Sequence, residues 1–242
     1  VFIRPDWDAP ANVKALQTTR IGGVSAAPWH SLNLGDHVGD DPEAVAENRR
    51  RLRQLLPAEP VWLKQVHKTR CIDAADPDAG NEADAAFTRT PGVVCAVLTA
   101  DCLPVLLCDA AGTVVAAAHA GWRGLAGGVI ESAVRAMGVP GENLMAWFGP
   151  AIGHDHFEVG DEVRASFIAH DPAAAAAFRP HASGKWLCDI YALARQRLSA
   201  LGVRRVAGGD FCTVKDAERF YSYRRDGVTG RMASLIWIDP LD

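Results

Sequence analysis

Hydrophobic and polar positions alternate weakly from Val13 to Thr19 and the pattern breaks at Gly22-Gly23, which predicts a strand entering a turn. Ser31-Leu-Asn-Leu-Gly35 and Val38-Gly-Asp-Asp41 are rich in glycine and short polar side chains and read as loops. Asp41-Pro42-Glu43 carries a helix start: aspartate as N-cap, proline at the first helical position, an acid in the first turn. That helix runs to Leu56 and stops before Pro57. Val61 to Val66 and Arg70 to Asp73 read as strands, followed by a polar loop from Asp76 to Glu82.

Val93 to Leu98, Val105 to Cys108 and Thr113 to Ala118 are short apolar runs split by turn signals, the pattern of central strands. Ala110-Ala-Gly-Thr113 supplies a hairpin turn between the last two. Leu125, Val129, Ile130, Ala133, Val134 and Met137 recur with a helical period, and Gly138 provides the stop. Leu144 to Phe148 reads as a strand. Helices follow over Asp161 to Ala169, over the alanine run 173–177 opened by Asp171-Pro172, and over Asp189 to Leu201 with Gly202 as the stop. Val203 to Ala207 and Met232 to Ile238 close the chain as strands, and Phe220 to Arg231 reads as a polar hairpin that could wall a pocket.

Strands and helices alternate irregularly, which predicts an α+β fold with mixed sheets. No linker or charge block divides residues 1–242, so they read as one domain. A content of 49% hydrophobic and 22% charged residues is that of a globular chain rather than a disordered one. The net charge of -4 gives no global pull toward nucleic acid, and Arg49-Arg-Arg-Leu-Arg53 reads as a solvated helix face. No apolar run approaches the roughly 20 residues that span a bilayer. Val1-Phe-Ile-Arg-Pro-Asp6 lacks the layout of a signal peptide. The six cysteines form no C-x-x-C pair and sit mostly in apolar stretches, as reduced thiols of a cytoplasmic protein do.

Three side chains stand out against this background. His67, Cys102 and His119 each follow or end a predicted strand, and strand ends are where distant positions converge. One thiolate and two imidazoles suit Zn2+, and three protein ligands leave a fourth position open, the mark of a catalytic site. Ala116-Ala-Ala before His119 and Ala-Gly-Trp-Arg-Gly124 after it let backbone and ligand approach closely. The same atoms also read as a nucleophile pair, with Cys102 activated by His119 and no metal required. Asp101 reads as a turn aspartate, a partner for a ligand histidine, or a general base. Asn33, Arg49, Gln65 and Arg123 are candidate substrate-binding groups, the arginines because their fork suits phosphate or carboxylate.

An ordered set of motifs carries a resemblance. Arg20-Ile-Gly-Gly-Val-Ser25, Ser31-Leu-Asn-Leu-Gly35, Glu47-Asn-Arg-Arg50, Trp62-Leu-Lys-Gln-Val-His67, Leu98-Thr-Ala-Asp-Cys-Leu-Pro-Val105, Ala118-His-Ala-Gly-Trp-Arg-Gly124, Gly149-Pro-Ala-Ile-Gly153, Phe157-Glu-Val-Gly160 and Tyr221-Ser-Tyr-Arg-Arg-Asp-Gly227 are similar to the laccase-domain (YfiH-type) family over nearly the whole chain. The resemblance implies a four-layer α/β/β/α domain like the cysteine-hydrolase-like fold of a deamidating toxin. It implies zinc on His67, Cys102 and His119; the chain itself is expected to be a monomer or small homo-oligomer. It also implies purine nucleoside chemistry: phosphorolysis of adenosine, inosine, guanosine and methylthioadenosine, and deamination of adenosine to inosine. Other members are described as copper-dependent polyphenol oxidases or as hydrolases that edit UDP-muramoyl-serine. A non-catalytic module tied together by zinc is a further alternative.

The chain departs from the family pattern at Lys68, where glycine is usual, and at His154 and His156, in a loop that usually carries no histidine. Multicopper oxidation needs paired His-x-His runs. The chain has one, His154-Asp-His156, away from the proposed site, so that chemistry is disfavoured. Zinc deaminases use a glutamate as proton shuttle. Neither His67 nor His119 opens an H-x-E motif, so that role has no assignment. Phosphorolysis needs a phosphate clamp, for which Arg49 with Asn33 is the candidate.

Overall fold

The computed structural model describes residues 2–240. Its strands are β1 (Phe2–Ile3), β2 (Val13–Thr18), β3 (Cys71–Asp73), β4 (Ala85–Thr88), β5 (Cys95–Thr99), β6 (Leu103–Asp109), β7 (Val115–Ala120), β8 (Leu144–Phe148), β9 (Glu158–Val159), β10 (Phe178–Pro180), β11 (Trp186–Cys188), β12 (Arg205–Gly208) and β13 (Met232–Ile238). The helices are α1 (Pro42–Arg53), α2 (Trp122–Gly127), α3 (Val129–Met137), α4 (Asp161–Ile168), α5 (Ile190–Ala200) and α6 (Tyr223–Asp226). The strands form a six-stranded sheet of order β12-β8-β6-β7-β4-β3, a four-stranded sheet of order β1-β2-β13-β5, and a small sheet of order β10-β11-β9. The six-stranded sheet is mixed, because β12 with β8 and β3 with β4 pair in parallel. The α+β expectation therefore holds.

Period-two alternation sorts the side chains of each strand onto two faces. On the six-stranded sheet, Leu103, Val105, Leu107, Ala116, Ala118 and Ala120 share one core with α3, α4 and α5. Leu106, Cys108, Val115, Ala117, Met145 and Trp147 face the other way and pack with Val13, Cys95, Val97 and Ile236 of the four-stranded sheet. The far face of that second sheet, with Leu16, Ala96, Leu98, Leu235 and Trp237, packs on Leu52 and Leu56 at the end of α1. Strands β5, β6, β7 and β8 are buried on both faces, which is why they read as continuous apolar runs. No helix of the described residues is long and apolar enough to cross a membrane.

The N-caps follow the sequence: Asp41, Asp171 and Asp189 accept from Glu43, Ala173 and Ala192 backbone N–H groups. Four local expectations are corrected. Val61 to Val66 makes only the isolated bridges Val61 to Cys95 and Lys64 to Glu82, because the amide of Val66 and those just beyond it bond a carboxylate instead of a ladder. The single helix over Leu125 to Met137 is two, α2 and α3, parted at Gly128, whose φ of 104° only glycine adopts freely. The alanine run is a 3-10 helix, Pro172–Ala177. Phe220 to Arg231 is no hairpin: Phe220 and Tyr221 are fully buried, and Ser222 caps the short α6 by accepting from Arg225 N. Strand β4 was not foreseen, since Ala85 and Ala86 carry little strand propensity.

Candidate metal centre and its cavity

Antiparallel pairing of β6 with β7 sets Leu103 against Ala120 and Pro104 against His119. Cys102, one residue before β6, therefore lies beside His119 near the end of β7. His67 arrives from the irregular segment before β3. Its ring meets that of His119 edge-on, with centroids 4.8 Å apart. Cys102 Sγ lies 4.0 Å from His67 Nε2, and one ligand atom from each of the three residues lies within 4.8 Å of the others. Gly121 leaves the space they need: a Cβ there would sit 2.9 Å from Cys102 Sγ and 3.1 Å from His67 Cδ2.

The residue that organises this cluster is Asp84, fully buried just before β4. Its carboxylate accepts from the backbone N–H groups of Val66, His67 and Lys68 at 3.1, 2.9 and 2.8 Å. It also accepts from His119 Nδ1 at 2.8 Å. Three converging N–H groups hold His67 at a φ of 58°, a left-handed conformation that a histidine adopts only when its surroundings enforce it. With Nδ1 donating to Asp84, Nε2 is the nitrogen that faces Cys102 and His67 and would lose its proton to hold a metal, the usual carboxylate-histidine arrangement behind one. Burial would raise the Asp84 pKa, but the bonds from His119, Lys68 and Val66 outweigh it and hold the carboxyl below its ordinary value. The signal in the sequence was a lone aspartate, Asp84, flanked by Ala83, Ala85 and Ala86, since a buried carboxylate needs partners.

Burial would also raise the Cys102 thiol, yet His119 and His67 together bring it down to about 6. Burial opposes protonation of His119, while Cys102 and Asp84 raise it to about 9. By contrast, burial first and a neighbouring carboxylate second push Cys71 and Cys108 up to about 12. Cys102 is thus set up as a thiolate. In a tetrahedral site with bonds of about 2.0 to 2.3 Å, ligand atoms lie about 3.5 Å apart, so these donors, 4.0 Å apart for Cys102 and His67 and all within 4.8 Å, need to close by about 0.5 Å for that pair and by no more than about 1.3 Å for any. The donor set fits a divalent transition metal.

The cluster forms the floor of a cavity of about 590 Å3. Its walls include Gln65, Trp122, Phe157 and Tyr223 and three arginines, Arg123, Arg224 and Arg231. Arg123 stacks on Trp122 and Arg224 on Phe157. Arg224 Nη1 donates to Glu158 O, and Arg231 Nη1 donates to Thr229 O and Gly230 O. None of the three has a carboxylate partner within ion-pair distance among the described residues, whereas Arg50, Arg179, Arg197 and Arg219 do. In a chain of net charge -4, a cavity lined by three guanidinium groups without a carboxylate ion pair suits an anion.

The other sequence candidates fall in three places. Gln65 lines the cavity and clamps β5, its amide donating to Leu98 O and accepting from Leu98 N. Asn33 and Arg49 do not line it. The Asn33 amide donates to Gly35 O and Asp40 Oδ2 and accepts from the N–H groups of Gly35 and Arg231. Arg49 donates twice to Leu34 O and stacks on Trp62. Asp101, with φ of 94°, accepts from Thr213 Oγ1 and from Arg224 N, so it anchors a loop and bonds no histidine. His154 and His156 line a separate cavity with Cys212. Tyr223, Arg224 and Arg231 lie in the stretch expected to wall a pocket and do line the cavity, although as the short α6 and the loop after it rather than as a hairpin.

A family model described as multi-copper polyphenol oxidoreductase laccase matches residues 14–239. The chain belongs to this laccase-like family. It is 58% identical over 238 residues to a Pseudomonas aeruginosa member called purine nucleoside phosphorylase PA4543, with 98% of each chain covered. It is 56% identical over 240 residues to an Escherichia coli member called purine nucleoside phosphorylase YfiH, again with 98% of each covered. Two solved structures share the fold. Neisseria meningitidis protein NMB0706 has a TM-score of 0.95 at 56% identity, with 99% of each chain covered. YlmD of Geobacillus stearothermophilus has a TM-score of 0.89 at 32% identity, covering 95% of this chain and 93% of that one.

Proposed function

We propose that the protein is a zinc-dependent purine nucleoside phosphorylase that also deaminates adenosine, acting on adenosine, inosine, guanosine and methylthioadenosine. The observation that carries this reading is the facing of His67, Cys102 and His119 by three unpaired arginines across one cavity. Support comes from the names of the relatives at 56 to 58% identity. The three apolar clusters in turn suit the α/β/β/α order of a cysteine-hydrolase-like fold.

His67, Cys102 and His119 would hold the zinc, which supplies a Lewis acid when bound. The residues around it do the rest. In phosphorolysis a phosphate oxygen forms a bond to C1′ of the ribose as the C1′–N9 bond breaks, and the purine leaves with the electron pair and takes up a proton. The arginine wall neutralises the attacking dianion and places it on one side of the ribose. Tyr223, exposed at the cavity, and the half-buried Trp122 offer aromatic faces to the purine. A cavity of about 590 Å3 falls in the range that encloses a small ligand.

Turnover of a nucleoside panel with and without phosphate, on metal-quantified protein, tests the reading. Phosphate-dependent release of free base and phosphate-independent formation of inosine from adenosine are expected, both abolished by Cys102→Ala or His119→Ala. Neither product from protein carrying stoichiometric zinc refutes it. The Cys102–His119 thiolate–imidazole pair favours one second reading, nucleophilic hydrolysis without metal. Undiminished turnover after complete chelation distinguishes it.

A further inference from the structure

We infer that Arg231 is the residue that binds the phosphate, by its Nε and Nη2 edge, and that the surrounding loops hold this edge in place before phosphate arrives. The inference rests on the phosphorolytic reading and names the group that reading leaves unassigned.

The Arg231 side chain has little freedom. Arg231 N is bonded to the buried Asn33 Oδ1 at 2.8 Å. Its aliphatic stem lies against Gly35, where a Cβ would come within 2.8 Å of Arg231 Cγ and 3.2 Å of Arg231 Cβ. The preceding Gly230 is wedged against the Tyr221 ring and Asn33, with a Cβ reaching 2.6 Å from Tyr221 Cζ and 2.9 Å from Asn33 Cβ. At the other end Nη1 is committed to two carbonyls, Thr229 O at 3.1 Å and Gly230 O at 3.0 Å. Backbone, stem and one terminal nitrogen are therefore all fixed.

What remains is the Nε and Nη2 edge, which has no hydrogen-bond partner among the described residues. Neither atom is among the buried side-chain atoms left without a partner, so the edge is accessible, and Arg231 is one of the residues that line the cavity. Two parallel N–H groups at a fixed spacing match two oxygens of a tetrahedral oxyanion, and little side-chain entropy is left to lose on binding. Arg123 and Arg224 are exposed, whereas Arg231 is half-buried, where the same charge is less screened. Arg49 is not in competition, since its Nε and Nη2 already share Leu34 O. Asn33 contributes by holding the Arg231 backbone.

The test uses the zinc-loaded enzyme and inorganic phosphate. Phosphate affinity is measured by calorimetry without nucleoside, and the KM values for phosphate and inosine are measured by turnover. Arg231→Gln is expected to weaken phosphate binding and raise the phosphate KM roughly 10- to 100-fold, the worth of a charged hydrogen-bonded contact, with the inosine KM changed less than about threefold. Arg231→Lys keeps the charge but not the fork, so it is expected to fall between the two. Zinc content and melting temperature check that each variant is folded. If Arg231→Gln does not fold, Arg231→Lys decides: wild-type phosphate affinity overturns the proposal, and a severalfold loss supports it. Phosphorolysis with an unchanged phosphate KM in folded Arg231→Gln overturns the anchor and leaves the phosphorylase reading standing. Phosphate binding that depends on Arg231 in a protein that turns over no nucleoside does the reverse.

Discussion

Replacing Asp84 with asparagine removes one charge and about one atom's worth of chemistry, yet it should reach both stability and metal binding. In the native protein Oδ1 accepts from His67 N and His119 Nδ1, and Oδ2 from Val66 N and Lys68 N. An amide keeps one acceptor oxygen and turns an NH2 toward the second pair of donors. At least two hydrogen bonds are therefore lost, and each buried donor left unpaired costs about 1–3 kcal/mol, for a total of about 2–6 kcal/mol. That is a large share of the roughly 5–15 kcal/mol by which a domain is stable. The freed 66–68 segment also releases His67 from its left-handed conformation, so metal affinity should fall about 10- to 100-fold.

Urea unfolding of metal-free wild type and Asp84→Asn measures the first quantity, and competition with a chromophoric chelator the second. The pH dependence supplies a check on the cause. Because the folded pKa of Asp84 lies below its ordinary value, its contribution is complete above about pH 4 and is lost as pH falls through the folded value. The gap between wild type and variant should therefore narrow in acid. A variant that unfolds within about 0.5 kcal/mol of wild type and holds metal equally well would refute the role assigned to Asp84.

Three further outcomes are expected. In metal-free protein, Cys102 should react with iodoacetamide as a thiolate from about pH 6, and His119→Ala should move that midpoint upward. The depressed thiol stabilises the fold above its ordinary pKa and loses that contribution as pH falls through about 6, whereas His119 loses its own as pH rises through about 9, so the charged pair spans the interval between. Gly121→Ala, at a backbone φ of -61° that accepts alanine, should cost the metal-free protein about 1–3 kcal/mol through crowding alone. It should weaken metal binding roughly tenfold or more as Cβ crowds Cys102 and His67, read by chelator competition. Gly128→Ala forces a side chain onto a φ of 104° between α2 and α3 and should cost about 1–2 kcal/mol in urea unfolding.

The sequence made the central strands and the triad legible because each rests on a local signal. Strands β5 to β8 are buried on both faces and announce themselves as apolar runs, and Cys102 and His119 sit at the ends of two of them. What stayed hidden depends on partners far along the chain. Asp84 reads as an isolated acid until the 66–68 backbone is folded over it. Arg231 falls in a stretch expected to wall a pocket, but nothing marks it out there until Asn33, 198 positions away, pins its backbone. The bonds that engage Arg49 and Asn33 in the 33–40 loop are likewise invisible as pattern.

The way each ligand is held bears on what a metal is for. His67 is fixed by the Asp84 carboxylate. Cys102 follows Asp101, whose side chain accepts from Thr213 and Arg224 and whose carbonyl accepts from Ile152 N. His119 is held by the β6 and β4 ladders and by Asp84. All of these contacts are made by protein groups, and the two large apolar clusters on either side of the six-stranded sheet close without any of the three ligands. These contacts predict a fold that does not need a metal to tie the strands together, in contrast to small domains that are unfolded without one. Chelation should leave a cooperatively folded protein, less stable only by the linkage term RT ln(1 + [L]/Kd), with L the free metal. A site so prepared, with its open side toward three unpaired arginines, has the construction of a reaction centre rather than of a staple.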